Sequence, residues 1–151
     1  LISGVSGVGL GVLGIGLPDI ALFTSLMLKN IYEISLHYGF NYEDDEEKRF
    51  ILLIIEAALS HGYELQKLNK DLNRFIDTGI FNEECSLEYR ISQSAKCLSK
   101  ELLYMKFIQG IPIVGIIGGA YDYVYMKKIS KYAQLKYKRR FYQKQMNVNK
   151  A

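Results

Sequence analysis

The sequence is poor in the residues that staple small folds. It has two cysteines, Cys85 and Cys97, separated by eleven residues and without a C-x-x-C. Two lone cysteines in a chain of this size suggest a reducing compartment with no disulfide framework. The two histidines, His37 and His61, are 24 positions apart. A metal site built on them would need two further ligands, so no metal is expected, and no other cofactor motif stands out. There is no G-x-S-x-G nucleophile elbow. Prolines occur only at 18 and 112. No run alternates apolar and polar residues over a useful length, which argues against strands and for an all-α fold. The chain starts at Leu1 with no basic region ahead of an apolar run, so no signal peptide is read. It reads as an excised segment of a longer protein.

Acidic residues are missing from one whole end. After Asp122 there are nine basic side chains and no acidic one, whereas residues 1–122 carry ten basic and sixteen acidic. The total of +3 hides this separation. A basic tail on an acidic body implies an anionic partner: phospholipid head groups, nucleic acid or an acidic protein face. At 151 residues and 49% hydrophobic content the chain is one domain with room for a core.

Two stretches do have long apolar character. Leu1 to Leu28 contains one charge, Asp19, and six glycines. Phe107 to Asp122 repeats the composition, again with one proline and closing on one aspartate. Gly7 and Gly11, and also Gly115 and Gly119, have the small-xxx-small spacing that lets helices approach closely, and Gly14 extends the first series. The uncharged run to Pro18 is close to the lower limit of about 17 residues for a membrane-spanning helix. Close helix packing in a protein core explains it equally well. Gly9, Gly11 and Gly14 also fit G-x-G-x-x-G, but too few residues precede them to form the strand that a dinucleotide site needs.

Helical spacing is legible elsewhere. Ile20, Phe23, Leu26 or Met27, Ile31 and Tyr38 predict a helix over about 19–38, with Asp19 in its first turn or capping it and Gly39 ending it. Five consecutive acids, Glu43 to Glu47, lack the alternation and central glycine of a calcium loop. They read as negative charge at the start of the next helix, about 45–61, which is apolar all round from Phe50 to Ile55 and therefore central. Leu65, Leu68, Leu72, Phe75 and Ile76 continue to about 77, with Thr78-Gly79 as the stop. Asn82 or Ser86 caps a helix over about 86–107. A last helix begins within 112–119 and runs to about 143, leaving Asn147 to Ala151 frayed. Along it Tyr125, Ile129, Ala133, Tyr137 and Phe141 form a stripe, four residues apart. Lys127, Lys128, Lys131, Lys136, Lys138, Arg139, Arg140 and Lys144 fill the rest. The architecture expected is a bundle of about five or six helices with the two Gly-rich segments packed together.

These pieces resemble the EcsC protein family. The likeness is carried by Gly16-Leu17-Pro18-Asp19-Ile20 with Leu22, Thr24 and Leu28, by Ile31 to Tyr38-Gly39, and by Ile111 to Ala120 with Asp122, Ala133 and Arg140-Phe141. It covers essentially the whole chain, which would be that family's C-terminal core, behind a further helical segment. A fainter likeness runs to a helical, membrane-associating domain of some bacterial GTPases. Both imply a bacterial helical protein, often membrane-associated, with no assigned catalytic chemistry. An asparagine is common near the position of Asp122.

Asp19 and Asp122 each close a Gly-rich block, so crossing helices could bring two carboxylates together for acid–base or metal chemistry. Capping of unpaired helix N–H groups is the simpler role. The basic helix suits an anionic membrane surface, its cations snorkelling around the aromatic stripe. No nucleic-acid recognition motif is present, and the body is acidic, so nucleic acid is not the expected partner. The sequence therefore predicts a non-catalytic structural or interaction protein on the cytoplasmic side of a bacterial membrane. The alternative is a soluble module holding a lipid-like ligand or a protein partner between the Gly-rich segments.

Overall fold

Among the residues described by the computed structural model, five helices follow one another: α1 (Leu17–His37), α2 (Asp45–Leu59), α3 (Gly62–Thr78), α4 (Leu87–Gln109) and α5 (Gly118–Lys150). The described residues are 17–81, 86–109 and 118–150, with side chains described over 23–81, 86–100 and 124–150. Among them there is no strand. The all-α expectation holds with five helices. The packing of Gly7, Gly11, Gly14 and Gly115 lies outside the described residues, and Gly119 is the second residue of α5.

The order of the bundle follows from α2. Its residues Phe50, Ile51, Leu53, Ile54, Ile55, Ala57, Ala58 and Leu59 are all buried, so it has an apolar surface on every side. A helix of this kind has to be covered all round. It is covered by α3, α4 and α5, while α1 lies chiefly along α5. Each large aliphatic or aromatic side chain so buried contributes about 1.5–3 kcal/mol of transfer free energy.

The other helices supply single stripes. In α1 the described buried apolar residues are Phe23, Met27, Ile31 and Ile34, with Ser35 buried beside them and Leu26 left half exposed. In α3 they are Leu68, Leu72, Phe75 and Ile76. In α5 Ile129, Ala133 and Tyr137 are fully buried, with Tyr125 packed more loosely. A strict four-residue spacing advances about 40° per step around a helix of 3.6 residues per turn, so only the middle of the stripe faces the core squarely.

The turns are set by glycine and by capping. Gly39, at φ +79°, lets α1 close with the Gly39 amide donating to the Leu36 carbonyl (3.0 Å) and that of Phe40 to Ser35 (3.0 Å). Gly79, at φ +71°, ends α3 in the same left-handed conformation, its amide donating to the Phe75 carbonyl at 2.7 Å. Ser86 caps α4, its hydroxyl accepting from the Tyr89 amide at 3.2 Å.

α5 runs to Lys150 rather than fraying from Asn147. No glycine or proline occurs after Gly119, and the last turns are rich in Lys, Gln and Arg, which favour helix. Among the described residues no helix is long and apolar enough to cross a membrane.

Candidate functional site

The last helix has two chemically different faces. The inner face carries an ion pair that the acid run and the basic tail supply together. Glu47, in the first turn of α2, is 4% exposed. It lies on the same stripe as Phe50, Ile51 and Ile54, so it points inward while its acidic neighbours stay in water. Arg140 Nη1 donates to Glu47 Oε2 at 2.6 Å, and the Tyr137 hydroxyl donates to Glu47 Oε1. The Ser35 hydroxyl lies 3.5 Å from Glu47 Oε1 and donates to the Phe40 carbonyl at 2.9 Å. This cluster ties α1, α2 and α5 together.

Aromatic rings wall it off. The Arg140 guanidinium lies over Phe40, Phe50 and Phe75, at 4.1, 4.6 and 4.9 Å from the ring centroids. Tyr137 stands edge-on to Phe50 at 5.3 Å. Tyr38 stacks at 6.4 Å over Tyr137 and at 5.9 Å beside Phe141. Burial, with the Glu47 charge beside it, holds the Tyr137 hydroxyl far above the usual phenol range. The tyrosine therefore stays protonated and serves as a fixed donor.

A turn away, Lys136 is also inside, 4% exposed. Its ammonium donates to Asn73 Oδ1 at 2.7 Å and to Asn69 Oδ1, and lies 5.3 Å above the Tyr132 ring. Tyr132 donates to the same Asn69 oxygen at 3.0 Å. Burial first, and the Arg139 charge second, lower its pKa to about 8. Burial raises that of Tyr132 to about 12. On the opposite flank of α2, Glu56 accepts from the Ser94 hydroxyl at 2.7 Å and pairs with Arg90 at 3.6 Å. Burial raises its pKa despite those two partners.

These contacts correct the expectation for the basic helix. Of the eight cations assigned there to an anionic surface, Lys136 and Arg140 face the core and Arg139 makes a two-oxygen pair with Asp77 at 2.9 and 3.0 Å. The stripe of Tyr125, Ile129, Ala133, Tyr137 and Phe141 is likewise a core seam. Helical periodicity alone does not say which side of an aromatic stripe is wet, and here α1 and α2 cover it.

Lys127, Lys128, Lys131, Lys138 and Lys144 remain exposed. At about 100° per residue, Lys127, Lys131 and Lys138 share the side of α5 opposite Ile129, Ala133 and Tyr137. Val124, Leu135 and Tyr142, each more than half exposed, are interleaved with them. No acid interrupts this face, since none occurs beyond Asp122.

The family can now be stated. The EcsC protein family model matches residues 1–141. The chain belongs to the EcsC protein family. "Protein EcsC" of Bacillus subtilis (strain 168) is 26% identical over 136 residues, which is 88% of this chain and 55% of that protein. This EcsC-family chain thus spans about half the length of the curated relative it matches. No solved structure matches it.

The remaining sequence candidates are placed as follows. Asp19 is the third residue of α1, within its first turn. Asp122 is the fifth residue of α5. Their side chains, and any convergence of the two, lie outside the described residues. Among the described residues no group of three His, Cys, Asp or Glu could hold a metal. Glu47, Glu56, Asn69 and Asn73 were not singled out by the sequence reading. The signal for Glu47 was available: it precedes Phe50 by three and Ile51 by four, so it shares their buried face.

Proposed function

We propose that this EcsC-family domain is a non-catalytic, membrane-associated structural or interaction protein that lays the outer face of α5 on the anionic surface of a bacterial membrane from the cytoplasmic side. One observation carries the reading. The outer face alternates lysines with exposed Val124, Leu135 and Tyr142 and contains no acid. Lysines there can bury their methylene stems at the interface and keep the ammonium among phosphates. Each cation near such a surface contributes about 1 kcal/mol. The inner face of the same helix is locked to α2 by Glu47 and to α3 by Asn69, Asn73 and Asp77, so the lysines stand on a rigid support. The Gly-rich segments would add apolar attachment where they enter the bilayer. The reading assigns no reaction, cofactor or metal to the domain.

Flotation with vesicles tests it. The domain should float with anionic and not with zwitterionic vesicles. Exchanging Lys127, Lys131 and Lys138 for Glu removes three favourable charges, about 3 kcal/mol or more, and should abolish flotation. Release by high salt would identify the lysine face as the anchor, and retention through alkaline carbonate would assign it to the Gly-rich segments. No flotation of the unaltered domain, or equal flotation of the triple variant in low salt, would refute the assignment to α5. Equal affinity for DNA with a steep salt dependence would favour a nucleic-acid partner instead.

A further inference from the structure

A groove runs over α2 on the side away from α5. α4 packs chiefly on α2 and α1 chiefly on α5, and among the described residues α1 and α4 do not pack extensively on each other. The gap between them is floored by Ile51 and Ile55 and walled by Met27 and Leu28 of α1 and by Ile91 and Leu98 of α4. Its volume is about 320 Å³, at the small end of ligand pockets. That accommodates one medium-length hydrocarbon chain and is too little for a two-chain phospholipid.

Among the described residues a single charge lines the groove: Lys48, in the first turns of α2. Its ammonium is 3.2 Å from Asp45, but both side chains are well exposed, at 44% and 73%. Such a surface pair contributes little, so the ammonium is available to another anion. Tyr32 and Thr24 supply hydroxyls on the α1 wall. An apolar slot with one cation among its lining residues is complementary to a single-chain amphiphile with an anionic head.

We propose that the α1–α2–α4 groove binds the hydrocarbon chain of a fatty-acid-like carboxylate, with Lys48 pairing its head group. The site is separate from the outer face of α5: among the described residues none of α5 lines it. The proposal therefore stands apart from the membrane reading.

The probe is dodecanoate, titrated calorimetrically into the purified protein below its micelle concentration. Dodecyl maltoside supplies a chain without the charge, and butyrate the charge without the chain. The protein should bind dodecanoate at a saturable site, gain thermal stability from it, and ignore butyrate. Lys48→Ala should weaken dodecanoate by about tenfold and leave dodecyl maltoside unchanged. Ala95→Trp, on the α4 wall, should fill the groove and abolish binding of both. If that variant proves unfolded by circular dichroism, Ala95→Leu and Ile91→Asp make the same test at positions that are not fully buried. Absence of saturable binding by the unaltered protein, or undiminished binding by folded groove variants, would overturn the proposal. The triple lysine variant of α5 should retain dodecanoate binding. Loss of flotation with binding retained, or the reverse, separates the two readings.

Discussion

Replacing Arg140 with Met removes the guanidinium that neutralises Glu47. Glu47 is 4% exposed and its partner's side chain 16%, so the carboxylate left behind cannot recover its hydration. Removing one member of a buried pair costs about 3–5 kcal/mol. The three rings under the guanidinium add a cation–π loss of about 0.5–2 kcal/mol, which the Met side chain offsets in part through packing. The net expectation is a loss of about 4 kcal/mol. For a chain of this size each kcal/mol moves the melting temperature by about 2–4 °C, so the midpoint should fall by about 8–16 °C. Urea unfolding followed by circular dichroism gives the free energy directly. The decisive comparison is the cycle with Glu47→Leu. Glu47→Leu leaves the Tyr137 hydroxyl without its acceptor, but that cost enters the single and double variants alike and cancels in the coupling. The double variant should be more stable than the sum of the single losses by about 2 kcal/mol or more. A loss under about 1 kcal/mol for Arg140→Met, or additive single effects, would mean that water reaches Glu47 and that the cluster does not hold α5 to α2.

Three further outcomes follow from the same contacts. Lys136 holds its proton less well when folded (pKa about 8) than when unfolded (10.5), so the unfolded chain binds more protons between these values and stability rises with pH across that window. Stability measured against Lys136→Met should shift in favour of the lysine protein by about 3 kcal/mol through the window, with Tyr132 and Tyr137 present in both and cancelling; a flat difference refutes a desolvated amine. Ser94→Ala deletes the 2.7 Å hydrogen bond to the Glu56 carboxylate and should cost about 1.5–3 kcal/mol near neutral pH. The loss should shrink on acidification, because burial already favours the protonated form of Glu56. Gly79→Ala places a Cβ on a residue at φ +71°, where nothing crowds the position; the loss should be the conformational term alone, about 1 kcal/mol, read from the urea midpoint.

The fold was legible wherever burial and helical period agree. α2, apolar all round, announced itself as the centre, and Gly39, Gly79 and Ser86 end or start helices where their chemistry requires. The polar interior was not legible. Glu47 sits in a run of five acids, and a charge run is ordinarily a solvated helix start, so its one inward member is hidden by four outward neighbours. Lys136 and Arg140 are hidden in the same way by the lysines around them. Their partners are 67 and 93 positions distant, and a pairing of that range leaves no local pattern. The groove was illegible for another reason: its walls are ordinary amphipathic stripes, and the space between them arises because α1 and α4 pack chiefly on different helices.

The two faces of α5 bear on one another. Its inner cations cannot serve a membrane, because breaking the Glu47–Arg140 pair to do so would cost more than the roughly 1 kcal/mol each cation gains at an anionic surface. The outer lysines have no such commitment. Mutations on the two faces should therefore separate cleanly. Arg140→Met should lower thermal stability while the protein, held well below its melting temperature, still floats with anionic vesicles. The exchange of Lys127, Lys131 and Lys138 for Glu should abolish flotation with a change in unfolding free energy within about 0.5 kcal/mol, the usual range for surface substitutions. If the lysine exchange instead unfolds the domain, the outer face is covered by protein and the membrane assignment fails. If Arg140→Met abolishes flotation with the fold intact, the guanidinium reaches the surface in the bound state and the locked inner face described here is not the form that binds.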